Sequence, residues 1–171
     1  MNNKFTIYGT ILDNGHKDHY FVRFDTLANR MTIYHLIGLL GDDNKKNLKE
    51  IKNIFKEDAD HTLFVSSDLL VQIVDALGGI RVNGRKINGA KALEEIRNDN
   101  IAEVASGVSH ALSGNKNLLF AIPGLLSSLK GNYETDLNIV KVVRTALEEA
   151  GDLKDWKADL IKVDKDNVNS I

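Results

Sequence analysis

The sequence predicts an α/β protein, a sandwich of helices around a mixed, partly antiparallel central sheet, and three observations predict it. Its opening residues hold three runs in which β-branched and aromatic residues alternate with polar ones, split by turn residues. From Asp43 onward apolar residues recur mostly at helical spacing, interrupted by short strand-like runs. No repeat, low-complexity tract or long linker breaks the 171 residues, and 43% of them are apolar, which suits one well-filled core. A single αβα sandwich domain spanning residues 1–171 is therefore expected.

The elements follow in order. Lys4 to Leu12, KFTIYGTIL, reads as the first strand and is closed by the turn residues DNG. His19 to Phe24 and Arg30 to Gly38 read as two more strands around a DTLAN turn, an antiparallel start. Leu48, Ile51, Ile54 and Phe55 then fall on one face with lysines opposite, which predicts a helix with Asp43 as its N-cap. HTLFVS reads as a buried strand, and SDLLVQIVDALGG as a helix capped by Ser67 or Asp68 and stopped by Gly78-Gly79. IRV is a short strand, NGRKING a turn, and AKALEEIRN a helix of about two turns. IAEVASGVSHALSG and LLFAIPGLLSSLKG keep helical period, with Pro123 able to start the second helix. DLNIVKVVRTALEEAG is a core helix through Leu137, Ile139, Val140, Val143, Ala146 and Leu147, and DWKADLIKV closes the chain as an edge strand.

Composition excludes several functions. Lys+Arg 22 against Asp+Glu 24 gives a net charge of -2, so no global positive field draws the chain to a phosphate backbone, and no nucleic-acid partner is expected. The absence of cysteine removes disulfides, thiolate nucleophiles and Cys-based zinc sites. The first residues carry no signal-peptide core, and nowhere is there a run of about 18 to 20 apolar residues. The chain reads as soluble. Membrane association is then expected only through an anchor or a partner, and whether an anchor has been removed stays open.

Two linked blocks carry a resemblance. DHTLFVSSDLLVQIVDALGGIRVN holds Asp75, Ala76, Leu77, Gly78 and Gly79, and INGAKALEEIR holds Asn88, Gly89, Ala92, Leu93 and Arg97. Together they resemble the LytR-CpsA-Psr family of cell-envelope proteins, in which such a strand, helix, strand and second helix lead to a phosphate-binding arginine. The opening hairpins are similar to the family's, with Asp18 where the family has the aspartate of its R-x-D-T segment. Pro123, Leu125, Leu126, Leu129, Thr135, Asp136 and Leu137 match its closing region. The likeness covers nearly the whole chain and is weakest between Leu39 and Asp58.

The resemblance implies a LytR-CpsA-Psr-like fold that binds a polyprenyl pyrophosphate, its lipid in an apolar tunnel and its pyrophosphate held by arginines and a magnesium ion. It also implies placement on the extracytoplasmic face of the cell envelope, although a cytoplasmic chain stays open because no leader is present. Active members move a lipid-linked glycopolymer, teichoic acid or capsule, onto peptidoglycan. Arginine forks and a carboxylate-held cation suit that task because a pyrophosphate needs neutralising in both the bound and the transition state.

This chain departs from the pattern where charge is needed. Gly38 and Leu39 stand where the family has an Arg-Asp pair, His16 replaces an arginine ahead of Asp18, and Asp99 replaces the second arginine of an R-x-R. The downstream basic cluster has become NIAEVASGVSHAL. Asp18 and Arg97 survive, Arg97 as catalytic and ligand-binding candidate and Asp18 as ligand and metal candidate. A catalytically inactive relative with a binding or regulatory role is the favoured reading. The alternative is an active phosphotransferase, which Arg23, Arg81 or Arg85 reaching the mouth would favour.

Each candidate has a plain structural reading beside it. Arg97 at a helix C-terminus is stabilised by the helix dipole, with Glu94 and Asp99 as surface partners. Asp18 can simply shape a turn, and Asp42 and Asp43 read as a replacement carboxylate or, better, an N-cap. His16 and His19 flank Asp18 in a way that can mimic a metal site, but a spacing of three puts them on opposite faces of a regular strand, so a surface cluster is the favoured reading. His35 and His61 read as packed strand residues, and Lys45-Lys46 as a solvated face. Leu118 to Leu126 is apolar almost without break, so Phe120, Ile122, Leu125 and Leu126 are the candidate lipid-lining residues, with a filled core as the alternative.

Overall fold

The computed structural model describes residues 4–114, 117, 124, 127, 133–136 and 156–171. Strands β1 (Lys4–Asp13), β2 (His16–Asp25) and β3 (Arg30–Leu36) form an antiparallel meander. Helix α1 (Asn44–Phe55) follows, then β4 (His61–Ser66) and α2 (Ser67–Ala76). A hairpin of β5 (Ile80–Val82) and β6 (Arg85–Ile87) leads to α3 (Gly89–Arg97) and α4 (Ile101–Gly114). Beyond these lie β7 (Tyr133–Thr135) and β8 (Lys157–Val163).

Six strands make one sheet in the order β7-β4-β1-β2-β3-β8. β4 runs parallel to β1 and β8 parallel to β3, while the remaining neighbours are antiparallel, so the sheet is mixed as expected. Alternation along the strands sorts residues onto two faces. Tyr8, Phe21, Tyr34 and Leu36 pack with Ile51 and Phe55 of α1 on one side. Ile11, Tyr20, Met31 and Ile33 pack with Leu70 of α2, Ile96 of α3 and Ala102 of α4 on the opposite side. This is the expected sandwich of helices around a sheet.

Local chemistry explains most element ends. The Asp43 side chain accepts from the Lys45 and Lys46 backbone N–H groups at 3.0 and 3.2 Å, which caps α1 as the sequence predicts. Helix α2 stops where Gly78 and Gly79 take positive φ, and their N–H groups bond the Asp75 and Val74 carbonyls. The last strand is an edge strand, as expected.

Four expectations need correction. The cap of α2 is Ser66, not Ser67 or Asp68: β4 runs straight into the helix, and its last residue turns its hydroxyl onto the Leu69 N–H at 3.2 Å. NGRKING is not all turn, because Asn83 and Gly84 at positive φ make a two-residue hairpin and Arg85–Ile87 pairs back on Ile80–Val82. The second strand starts at His16, earlier than expected, and the third ends at Leu36. β4 is half-buried along its length, one strand from the sheet edge. Pro123, the run at Leu118 to Leu126 apart from Gly124, and the helix expected from Leu137 lie outside the described residues.

Candidate functional site

The C-terminal ends of the parallel strands β4, β1, β3 and β8 gather at one end of the sheet, and the antiparallel β2 begins there. Register places Asp13 opposite His16, Asp18 opposite Ile11, His35 opposite Tyr20 and Lys162 beside His35. Asp13, His16, Asp18, Tyr20 and His35 all point to the face covered by α2, α3 and α4. The last turn of α3 and the bend after it then deliver Arg97 and Asp99 onto this edge.

Arg97 does not face Glu94 or Asp99. Its Nε and Nη2 donate to the two carboxylate oxygens of Asp13 at 2.7 and 2.9 Å, a bidentate pair. That contact holds the Asp13 carboxyl below the ordinary carboxylate range, with a smaller contribution from the Ser67 hydroxyl. Two residues on, Asp99 adopts a positive φ and accepts from Lys162 Nζ at 2.5 Å. Lys162 first, and then His35, hold the Asp99 carboxyl low.

His35 is the centre of the arrangement. Its Nδ1 lies 3.4 Å from Asp99 and its Nε2 3.6 Å from Asp18, so one imidazole stands between two carboxylates. Asp18 also lies 3.3 Å from His16 Nε2. The Tyr20 ring stacks on His35 with centroids 4.7 Å apart. Burial first, then Asp18 and Asp99, push the Tyr20 hydroxyl far above its ordinary range, so it stays protonated.

Asp18 and Arg97 thus reach the same end of the sheet without touching: one is held by histidines, the other by Asp13. Arg23 sits on the α1 face, bound to Glu57 at 2.5 Å and to the Tyr34 hydroxyl at 2.8 Å, while Arg81 and Arg85 belong to the β5–β6 hairpin. Among the described residues no group of three or more His, Asp or Glu side chains is placed to hold a metal ion. Asp18 meets imidazole nitrogens, whereas magnesium requires a near-octahedral set of oxygens. Among the described residues, the surroundings of Asp18 therefore do not fit magnesium. His16 and His19 do lie on opposite faces, and Asp43 is a cap while Asp42 stands 3.5 Å from Lys17. Phe120, Ile122, Leu125 and Leu126 lie outside the described residues.

Sequence reasoning missed Asp13, His35 and Lys162. Their partners are distant in the chain, Arg97 from Asp13 by 84 positions, so only the strand register reveals them. The two blocks that carry the resemblance prove to be packing devices. Asp75 accepts from the Gly89 N–H at 2.7 Å and ties α2 to the start of α3. A Cβ on Gly89 would overlap the Val71 backbone, so the two helices approach through that glycine. Gly78, Gly79, Lys86, Asn88 and Lys91 line an open polar cleft of about 470 Å³ beside this joint. A second cleft, about 350 Å³, lies between α4, β5 and β8, where the buried Trp156 Nε1 has no hydrogen-bond partner among the described residues.

No family model matches the sequence, and no curated protein matches it. Solved structures do. The Lin1025 protein of Listeria innocua superposes with a TM-score of 0.74 at 13% identity, over 95% of this chain and 84% of that one. TagV of Bacillus subtilis gives a TM-score of 0.67 at 15% identity, over 99% of this chain and 95% of that one. TagT solved bound to LIIa-WTA gives 0.67 at 10% identity, over 95% and 79%. The fold is thus the LytR-CpsA-Psr-like fold that the sequence blocks imply.

Proposed function

We propose that this chain is a cell-envelope domain that binds the phosphate end of a polyprenyl-linked glycopolymer carrier without transferring the polymer. The state of Arg97 carries the reading. Its side chain is about half exposed at 49%, yet Nε and Nη2 already bind Asp13. Two lysines beside it are matched as well, Lys162 by Asp99 and Lys17 by Asp42.

Such a near-neutral edge can hold one anion through the free side of the guanidinium. It lacks the surplus positive charge that a transferring phosphoryl group requires. Loss of one preorganised donor costs other enzymes roughly 100- to 1000-fold in rate. Here Gly38, Leu39, His16 and Asp99 stand at four positions where the resembled family carries charged groups. The ligand class is supported by the fold shared with TagT, which is solved with LIIa-WTA and LI-WTA. Placement on the outer face of the envelope belongs to the same proposal; among the described residues no helix is long and apolar enough to cross a membrane.

Thermal unfolding with geranylgeranyl pyrophosphate tests it. A ligand at about 100 times its dissociation constant adds roughly 2.7 kcal/mol to the native state. The wild type is expected to shift and Arg97→Ala not to, while Asp13→Asn, which frees the fork, shifts at lower ligand. No shift in the wild type overturns the binding reading. Turnover of a lipid-linked glycopolymer onto peptidoglycan overturns the inactive reading in favour of a transferase.

A further inference from the structure

Helix α4 packs on the β5–β6 hairpin through one face and carries a polar stripe beside that contact. Val104, Val108 and Ala111 join Ile80 and Val82 in the core. Glu103, Ser106 and His110 fall on the neighbouring stripe, at the spacing that aligns side chains along a helix. Gly107 sets how close the helix comes, because a Cβ there would lie 2.7 Å from the Arg81 carbonyl oxygen. The cleft of about 350 Å³ between α4, β5 and β8 is therefore built into the packing of the fold.

Its lining offers both signs of charge and both signs of hydrogen bond. Arg81 supplies a guanidinium and Glu103 a carboxylate, while Asn83, Ser106 and His110 can each donate and accept. Arg81 reaches only the Gly84 carbonyl, at 3.4 Å, and does not pair with Glu103 although both line one cleft. The side chains of Asn83, Glu103, Ser106 and His110 make no hydrogen bond or ion pair among the described residues. Trp156 forms part of the same wall. Its Nε1 is the one buried side-chain polar atom among the described residues that has no partner. Buried donors are matched almost without exception, so an unmatched one beside a polar cleft marks a place for an acceptor from outside the chain.

We propose that this cleft binds an uncharged saccharide. Sugar hydroxyls donate and accept at once, which suits a wall that sets Glu103 and Ser106 against Arg81 and Asn83. The apolar face of a pyranose ring suits the aromatic surface of Trp156, and a hydroxyl oxygen at the indole edge supplies the acceptor that Nε1 lacks. Glu103 opposes a phosphate or any other small anion. The volume lies at the small end of the range of about 300 to 1,000 Å³ for small-molecule sites, so the ligand is a short saccharide and not a length of polymer. Ala158 of this cleft precedes Lys162 on β8 by about 13 Å along the strand. The cleft thus shares no residue with the Asp13–Arg97 end and is independent of the ligand proposed there.

Trp156 is the single tryptophan of the chain, so one indole N–H resonance and one fluorescence signal report on the cleft. Titration of the full chain with cellobiose and with N,N′-diacetylchitobiose, the second adding acetamido donors and acceptors, tests the site. At least one of the two is expected to move the indole N–H resonance downfield to saturation, with a dissociation constant on the order of 1 mM. Glu103→Gln and Arg81→Gln change exposed side chains and keep the melting temperature, yet each weakens binding about tenfold. Lys91→Ala, in the other cleft, binds like the wild type. A flat titration with both saccharides, an equal response to inorganic phosphate, or unchanged affinity in both cleft variants overturns the proposal.

Discussion

Asp13 at the end of β1 and Arg97 at the end of α3 share two hydrogen bonds of 2.7 and 2.9 Å. The pair closes α3 onto the sheet and fixes where the one retained arginine points. It also makes a pH prediction. The Asp13 carboxyl is held below its ordinary value, so its contribution is present above the unfolded carboxylate value of about 3.9 and is lost as pH falls through the lower folded one. Arg97→Gln should melt below the wild type near neutral pH, and the gap should close toward about pH 2. A gap independent of pH would assign the effect to something other than Asp13.

His19 makes a second pH test, with the same sign but in a higher pH window. It is buried, and its Nδ1 lies 2.9 Å from the Tyr8 hydroxyl, which itself accepts from Asn47 Nδ2 at 2.9 Å. Thr10 Oγ1 lies 3.4 Å from the same nitrogen, so two hydroxyls share the His19 Nδ1 inside the core. Burial lowers the folded pKa, so the unfolded chain binds the extra proton. Stability should therefore fall as pH drops below about 6.5, the unfolded value, until the folded pKa is reached. His19→Asn keeps an acceptor toward Tyr8 and should flatten that slope in melting curves taken between about pH 5 and 7.

Asn47 is 2% exposed and joins the β3–α1 loop to the Tyr8 network. Alanine there strands the Gly41 N–H and carbonyl and removes the donor to Tyr8. Urea unfolding should show a loss of about 2 to 3 kcal/mol. A loss under about 0.5 kcal/mol would mean that water replaces the amide without penalty.

Gly89 inverts a familiar rule. Within a helix, glycine to alanine ordinarily stabilises by up to about 1 kcal/mol. At Gly89 the added methyl overlaps the Val71 backbone, so α2 and α3 must separate. Gly89→Ala should cost roughly 2 to 4 kcal/mol in chemical unfolding, and the same change at exposed, open Gly41 should not.

The legibility of this protein follows the range of the forces involved. Strands β1 and β3, helix α1 with its Asp43 cap, and the Gly78-Gly79 stop were readable because alternation, helical period and capping depend on residues within a turn or two of each other. The β5–β6 hairpin was half-readable: Asn83-Gly84 is the signal for it, but a three-residue strand after it is too short to show a period. The cap of α2 moved to Ser66 because a strand running directly into a helix leaves no loop for a separate capping residue.

The amino-acid sequence by itself determined the class of fold, the order of most elements, and the near balance of charge, 22 basic against 24 acidic residues. Tertiary structure alone decided what the surviving charges do. Arg97 meets Asp13, Asp99 meets Lys162, and His35 stands between Asp18 and Asp99. The reason is geometric: these partners become neighbours only through the strand order β1-β2-β3-β8 and its register, which is set by the packing of both sheet faces and by no local pattern.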